Sequence, residues 1–371
     1  MQKNQNFLKK IIIKNIYLNK KMRKIKFSTA INEATDMCLN KEKNFIVFGL
    51  GSTDPRRIFG TTNNLVERYG KKRVFDVPTS ENALTGVSIG LASSGIKVLF
   101  SHQRVDFSFL SLDQIINNLS KWYFMYGGQK SLPITIRMII GRGWGQGPTH
   151  AQSFQSLFSR IPGLKVVMPS NPVNAKGLLI SSILDPNPVI FLEHRWLHNL
   201  EDKVNKNFFL TKLNKSRIIK KGKDITIIGM SYSSVELKSL EKILKLNNID
   251  AELIDLISIS PIDYKTIYKS VFKTKKLLIV DTCHVSGSIG SEIISKLIQK
   301  NVKIFNKRPK LLGLPDFPVP TSHGYISNYY PSRKKIFLEI CKILEINKPK
   351  YYKGFFSNKE LDKPKIFDGP F

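Results

Sequence analysis

Apolar residues fall in two alternating rhythms along the chain. Short continuous runs, FIVFGLG at 45–51, RVFDVP at 73–78, IKVLFS at 96–101, PITIRMII at 133–140, LKVVMP at 164–169 and PVIFLEH at 188–194, have the length and β-branched content of buried strands. Between them, apolar positions recur every three or four residues. Ile31, Ala34, Met37 and Cys38 mark a helix within Lys24–Asn40, with Ser28 and Thr29 as caps. Further helices are predicted over Glu81–Ser94, Leu112–Tyr126, a short segment near Phe154 and NPVNAKGLLISSIL at 171–184. Strands alternating with helices imply a parallel sheet covered on both faces.

The rhythm lapses between Asn199 and Lys223, where Lys and Asn dominate without a period, so 201–222 is taken as an interdomain linker. A second α/β series follows: DITIIGMS, a helix over Ser234–Leu246, AELIDLI, KLLIVDT, the turn SGSIG opening the helix SEIISKLI, then KLLGLPD and a last helix over Ser332–Leu344. The expected organisation is a tail over 1–21, a first domain over 22–200, a second over 223–350 and a C-terminal tail over 351–371.

Composition narrows the function class. With 371 residues, 42% apolar and 23 Phe, the chain can bury full cores, and three cysteines cannot build a disulfide framework, which points to a reducing compartment. The formal charge of +31 is spread along the chain. No zinc-finger spacing, helix-turn-helix signature or aromatic RNA-binding strand accompanies it, so a dedicated nucleic-acid reader is not expected; solvated surface lysine or an acidic partner accounts for the charge. Residues 1–21 are basic and broken by charge, which fits a disordered tail or an organellar presequence, and no later stretch reaches 18 uncharged apolar residues. A non-membrane protein of the cytoplasm, or of an organellar matrix or stroma, is expected.

In open parallel sheets ligands gather at the carboxyl ends of strands. Three segments meet that condition. Glu81 opens a helix after RVFDVP, with Ser80 as a cap, and is either a site carboxylate or one favoured by the helix dipole. Phe107 lies between a strand end and a helix, where a packing role is the ordinary explanation. His150 ends GRGWGQGPTH, whose four glycines let backbone approach a ligand closely. There is no Walker A sequence and no complete GxGxxG fingerprint; SGSIGSE offers backbone N–H groups to an anion or is a tight strand-to-helix turn. His194 and His198 stand four apart without a third ligand, so no transition-metal site is expected.

In order and spacing these segments resemble the β subunit of the thiamine-diphosphate-dependent E1 component of 2-oxoacid dehydrogenases, the pyruvate and branched-chain type. The resemblance runs from about Phe27 to Leu344 and is carried by RVFDVPTSENALTGVSIGLASSG, DFSFLSLDQIINNLSKWYFMYGGQKSLPITIR, THAQSFQSLFSRIPGLKVVMPSNPVNAKGLL and NPVIFLEH. It implies an α/β fold in which a parallel-sheet, transketolase-like pyrimidine-binding domain precedes a smaller transketolase C-terminal-like domain. It also implies thiamine diphosphate and Mg²⁺ as cofactors, anchored mainly by a separate α-like subunit, an α2β2 heterotetramer and acyl transfer to a lipoyl-bearing E2. By the same resemblance Glu81 bonds to the aminopyrimidine N1′, Phe107 stacks on that ring and His150 stands near the reacting carbon.

Departures from the pattern bear on substrate. Family members usually carry an acidic pair after the first strand, where this chain has Leu50 and Gly51, and Ser101 stands where an acid often closes the next strand. Arg104 and Arg142 add cations suited to an anionic substrate. GQGPTH is closer to the GPTH run of transketolases and deoxyxylulose-phosphate synthases. Two rival expectations follow: the C-terminal half of a split transketolase-type enzyme acting on a sugar phosphate, and a degenerate, non-catalytic subunit. Retention of Glu81, Phe107 and His150 weighs against the second.

Overall fold

A computed structural model describes residues 22–142 and 146–356. The tail over 1–21, the GWG of the glycine-rich loop (143–145) and residues 357–371 lie outside the described residues. The chain runs through β1 (Met22–Lys26), α1 (Phe27–Lys41), β2 (Phe45–Phe48), β3 (Val74–Phe75), α2 (Glu81–Ser93), β4 (Lys97–His102), β5 (Ile134–Ile140), β6 (Lys165–Val167), α3 (Pro172–Leu184) and β7 (Val189–His194). It continues through β8 (Glu201–Asn205), β9 (Arg217–Lys220), β10 (Ile225–Gly229), β11 (Ala251–Asp255), β12 (Ser258–Ser260), β13 (Leu277–His284) and β14 (Lys310–Leu314).

The larger sheet has the order β12-β6-β7-β5-β4-β2-β3. All its pairs are parallel except β12 with β6. β5 lies between β4 and β7, and all seven of its residues are buried, which is why ITIRMII reads as a continuous run and not as an alternation. The second sheet, β14-β13-β10-β11-β9, is parallel apart from β9. α1 buries Phe27, Ala30, Ile31, Ala34, Cys38 and Leu39 on one face and packs against α3.

Several local expectations are corrected. α1 begins at Phe27, ahead of Ser28 and Thr29, and no side chain caps it. Its first N–H groups donate instead to Leu200 O (2.8 Å) and His198 O (3.1 Å), so tertiary carbonyls do the capping. Ser80 likewise makes no side-chain cap bond to α2. The helix expected over Leu112–Tyr126 is a 3₁₀ turn at Phe109–Ser111, a π-helical turn at Gln114–Leu119 and a short α-helix at Trp122–Met125. The ladder widens where Ser120 N reaches Ile115 O (3.1 Å), while Ser120 Oγ takes the Ile116 carbonyl (2.9 Å).

The stretch expected as a linker carries two strands. β8 pairs antiparallel with β1 in a ribbon where only Ile25 and Val204 are buried and Lys24 meets Glu201 at 2.6 Å, so its composition reads as polar coil. At the other end, Tyr352–Phe355 is a short helix, and Phe356 packs on Phe337, so the residues just past 351 belong to the second core.

The two sheets share a core. β12, though it follows β11 of the second sheet, extends the first, with Met168 N bonding to Ile257 O at 3.0 Å. One apolar cluster runs from Phe100 and Met138 through Val166 to Ile254, Ile279 and Ile293. At this seam Gln155 Nε2 donates to Asp281 Oδ1 (2.7 Å), and burial pushes the Asp281 carboxyl up to about 6. No described helix is long and apolar enough to cross a membrane.

Candidate active site

The strand order places the carboxyl ends of β5, β4, β2 and β3 side by side, so the four loops that follow them converge on one edge of the sheet. Each loop delivers part of a cleft. After β3 the chain turns into α2, and Glu81, its first residue, is half-buried, with a carboxylate that makes no hydrogen bond to a described residue. The cleft around it is lined by Leu50, Val77, Leu84, Phe100, Ser101, His102, Gln103 and Phe107. Leu50, where the family pattern anticipates acid, thus lines the same space as Glu81. Asp76 supplies a carboxylate nearby but directs it into the β2 loop, accepting from Gly51 N (2.9 Å) and Thr53 N (3.2 Å).

Phe107 and Gln103 also line a second, adjoining pocket of about 350 Å³, with Asp54, Arg56, Phe59, Arg104, Gln146 and His150. His150 meets the Phe107 ring edge-on, 5.3 Å between centroids, and its Nδ1 lies 2.9 Å from Thr149 Oγ. Glu81 lines one pocket and His150 the other, and the Phe107 side chain lines both and touches His150.

The two arginines part company. Arg104, 3% exposed, lines the pocket; its Nη2 donates to Gln146 Oε1 and its guanidinium lies 5.4 Å from the Phe59 ring centre. Arg142 is fully buried and turns toward the second domain, with Nη2 donating to Thr321 O at 3.3 Å, and it does not line the pocket.

Other features of the site are not evident from local sequence signals. Arg57, Ile58 and Phe59 are three successive non-glycine residues in the left-handed region, with φ of 49°, 47° and 58°. Such conformations cost about 1 kcal/mol or more each. Asp54 Oδ1 accepts from Arg57 N (2.7 Å), Gly60 N reaches Arg56 O (2.9 Å) and Arg57 pairs with Glu67 (2.6 Å), which together hold the turn and carry Phe59 into the pocket wall. Beneath it lies a buried charge network. Arg137 of β5 donates from Nε (3.0 Å) and Nη2 (2.5 Å) to Glu193 of β7, and from Nη2 to Thr61 Oγ1 (3.0 Å). Burial pushes the Glu193 carboxyl up, but the Arg137 charge overrides it and leaves the group below its ordinary range. His198 Nε2 stands 3.4 Å from Glu193, and burial, only partly offset by that carboxylate, lowers the imidazole to about 4.

His102 is buried in the cleft wall, and desolvation lowers it to about 3, so it is a neutral ring at physiological pH. His194, Trp196 and Tyr232 pack against one another. Among the described residues no group of three or more His, Cys, Asp or Glu could hold a metal ion. In the SGSIG turn, Ser288 caps its own helix, accepting from Ser291 N at 3.2 Å.

Comparison with known proteins gives the family of the chain. The transketolase pyrimidine-binding domain model matches residues 23–199 and the transketolase C-terminal domain model residues 214–336. The chain is 33% identical over 334 residues to the acetoin:2,6-dichlorophenolindophenol oxidoreductase subunit beta of Bacillus subtilis, covering 87% of this chain and 98% of that one. It is 36% identical over 299 residues to the pyruvate dehydrogenase E1 component subunit beta of Porphyra purpurea, covering 81% and 90%. A solved structure described as a split gene transketolase, inactive beta4 tetramer, matches with a TM-score of 0.68 at 16% identity over 87% of this chain and 99% of that one, a likeness of fold alone. With both domain models in sequence and about a third of its residues shared with relatives aligned over nearly their whole length, the chain belongs to the family of pyruvate and acetoin dehydrogenase E1 β subunits, built from transketolase pyrimidine-binding and C-terminal domains.

Proposed function

We propose that this chain is the β subunit of a thiamine-diphosphate-dependent 2-oxoacid dehydrogenase E1 and works with an α-like partner in a heterotetramer. The observation that carries the reading is the cleft in which Glu81 and Phe107 line a common space, with His150 against the Phe107 ring. A carboxylate beside an apolar wall fits an aminopyrimidine: one ring nitrogen needs a hydrogen-bond partner and the ring faces need aromatic or aliphatic contact. When bound, thiamine diphosphate supplies a nucleophilic carbon and an electron sink for decarboxylating a 2-oxoacid.

In this scheme Glu81 holds a proton against the pyrimidine nitrogen, Phe107 fixes the plane of the ring, and His150, with Nδ1 beside Thr149, presents Nε2 to move a proton at the reacting end. Val77 and Leu84 give the Glu81 carboxylate an apolar flank. Mg²⁺ and the diphosphate fall to the α-like chain, and a lipoyl-bearing E2 is the acyl acceptor. The reading is tested by combining the chain with an E1α-like partner, thiamine diphosphate and Mg²⁺ and following 2-oxoacid-dependent dye reduction. Turnover that needs both chains is expected; no turnover with any 2-oxoacid would defeat the reading.

A further inference from the structure

Four arginines of the first domain, Arg104, Arg137, Arg142 and Arg195, are almost wholly buried, and Arg104 and Arg137 among them are treated differently. Arg137, 1% exposed, is matched by Glu193, and the pair ties β5 to β7. Arg104, 3% exposed, has no such match: Nη2 meets the neutral amide oxygen of Gln146, and Nη1 has no hydrogen-bond partner among the described residues. Asp106, the acid whose charge acts on it, accepts on Oδ1 from Gln152 Nε2 at 2.6 Å and makes no hydrogen bond to Arg104, its Oδ2 having no partner among the described residues. Burial draws the guanidinium down to about 10, still charged at any physiological pH. A desolvated cation is costly without an anion, and this one lines the pocket that holds His150.

We propose that Arg104 reads an anionic group on the substrate, carboxylate or phosphate, remote from the carbon that reacts. The inference rests on the functional reading above and names the substrate class of that same site. A guanidinium presents a planar fork that fits either anion through two parallel N–H bonds. Gln146 Oε1 occupies one prong and is displaced or shared when the anion arrives. Gln146 lies four residues before His150, so the anion would bind beside the segment that carries the imidazole. Arg56, Gln103 and Asp54 complete the wall around the incoming group. Pyruvate, which has no anion besides the reacting carboxylate, leaves the fork unused.

The test uses the chain assembled with its α-like partner, thiamine diphosphate and Mg²⁺. Values of kcat/KM are compared for pyruvate, for 2-oxoglutarate and for xylulose 5-phosphate with ribose 5-phosphate as acceptor. One of the two anionic donors should be preferred, which identifies carboxylate or phosphate. Arg104→Gln should lower kcat/KM for that donor by ~10- to 100-fold, the range for a lost hydrogen bond to a charged group, and shrink its advantage over pyruvate by a similar factor. Gln146→Glu supplies the missing carboxylate internally; it should raise Tm and abolish the preference. A preference for pyruvate that both variants leave alone would overturn the inference while sparing the functional reading. So would an anion preference that survives both variants, or an Arg104→Gln chain that loses its partner but keeps its substrate preference, which would assign the fork to a partner carboxylate. If no 2-oxoacid is turned over, the functional reading falls, and a Gln146→Glu chain with Tm unchanged or lowered overturns this inference separately.

Discussion

Glu81→Gln, in the chain assembled with its partner and cofactor, should slow exchange of the cofactor's C2 proton by at least ~10²-fold, the lower range for a positioned acid–base group. The amide keeps the shape and place of the side chain at the start of α2 but cannot take up or hold a proton against the pyrimidine nitrogen. The carboxylate makes no hydrogen bond to any described residue, so the substitution disturbs little within the chain. Deuterium exchange at C2, followed by NMR after acid quench, reads the step without depending on substrate. Wild-type exchange in the Gln variant would reduce Glu81 to a carboxylate stabilised by the dipole of α2.

Glu193→Gln should destabilise the chain by ~3–5 kcal/mol, as breaking a buried ion pair does, because Arg137 then remains charged and fully desolvated without a counter-charge. Equilibrium urea unfolding measures it. Replacing the pair together, Arg137→Met with Glu193→Leu, should recover much of the loss, since two apolar side chains of similar bulk remove both desolvation penalties. The double variant still loses the Arg137 bond to Thr61, which anchors the chain just past the left-handed turn, so the wall carrying Phe59 should loosen and substrate KM rise even where stability returns. A loss under about 1 kcal/mol for Glu193→Gln would mean that water reaches the pair.

The inner strands of both sheets, such as β5 and β10, are legible in sequence because each is an apolar run buried on two faces, and the longer helices because their buried residues repeat at helical spacing. The ribbon of β1 and β8 is hidden for the opposite reason: it buries one residue from each strand. β12 is too short to register, and its pairing with β6 depends on how the second sheet docks. Caps fail as local signals where distant carbonyls do the work, as Leu200 and His198 do for α1.

Within the site, Glu81 and His150 are marked by position, one at a helix start after a strand and the other beside glycines, whereas Phe107 gains meaning only from the family pattern. The turn at Arg57–Phe59 gives no warning, since nothing in RRIFG requires left-handed backbone before Gly60. Arg137 and Glu193 did leave a trace: single opposite charges inside the strands PITIRMII and VIFLEH, which a buried parallel sheet tolerates only as partners. The separation of Arg104 from Arg142 depends on which way each side chain turns, and that is a property of tertiary packing.

On the function proposed above, this chain supplies the pyrimidine half of a shared cofactor site, and the α-like partner anchors diphosphate and metal. Calorimetric titration of thiamine diphosphate with Mg²⁺ into the isolated chain, and into the chain with an E1α-like partner, tests it most directly. Tight binding should appear only in the assembled protein, with the isolated chain binding too weakly to register below the millimolar range; micromolar binding by the isolated chain would contradict the account.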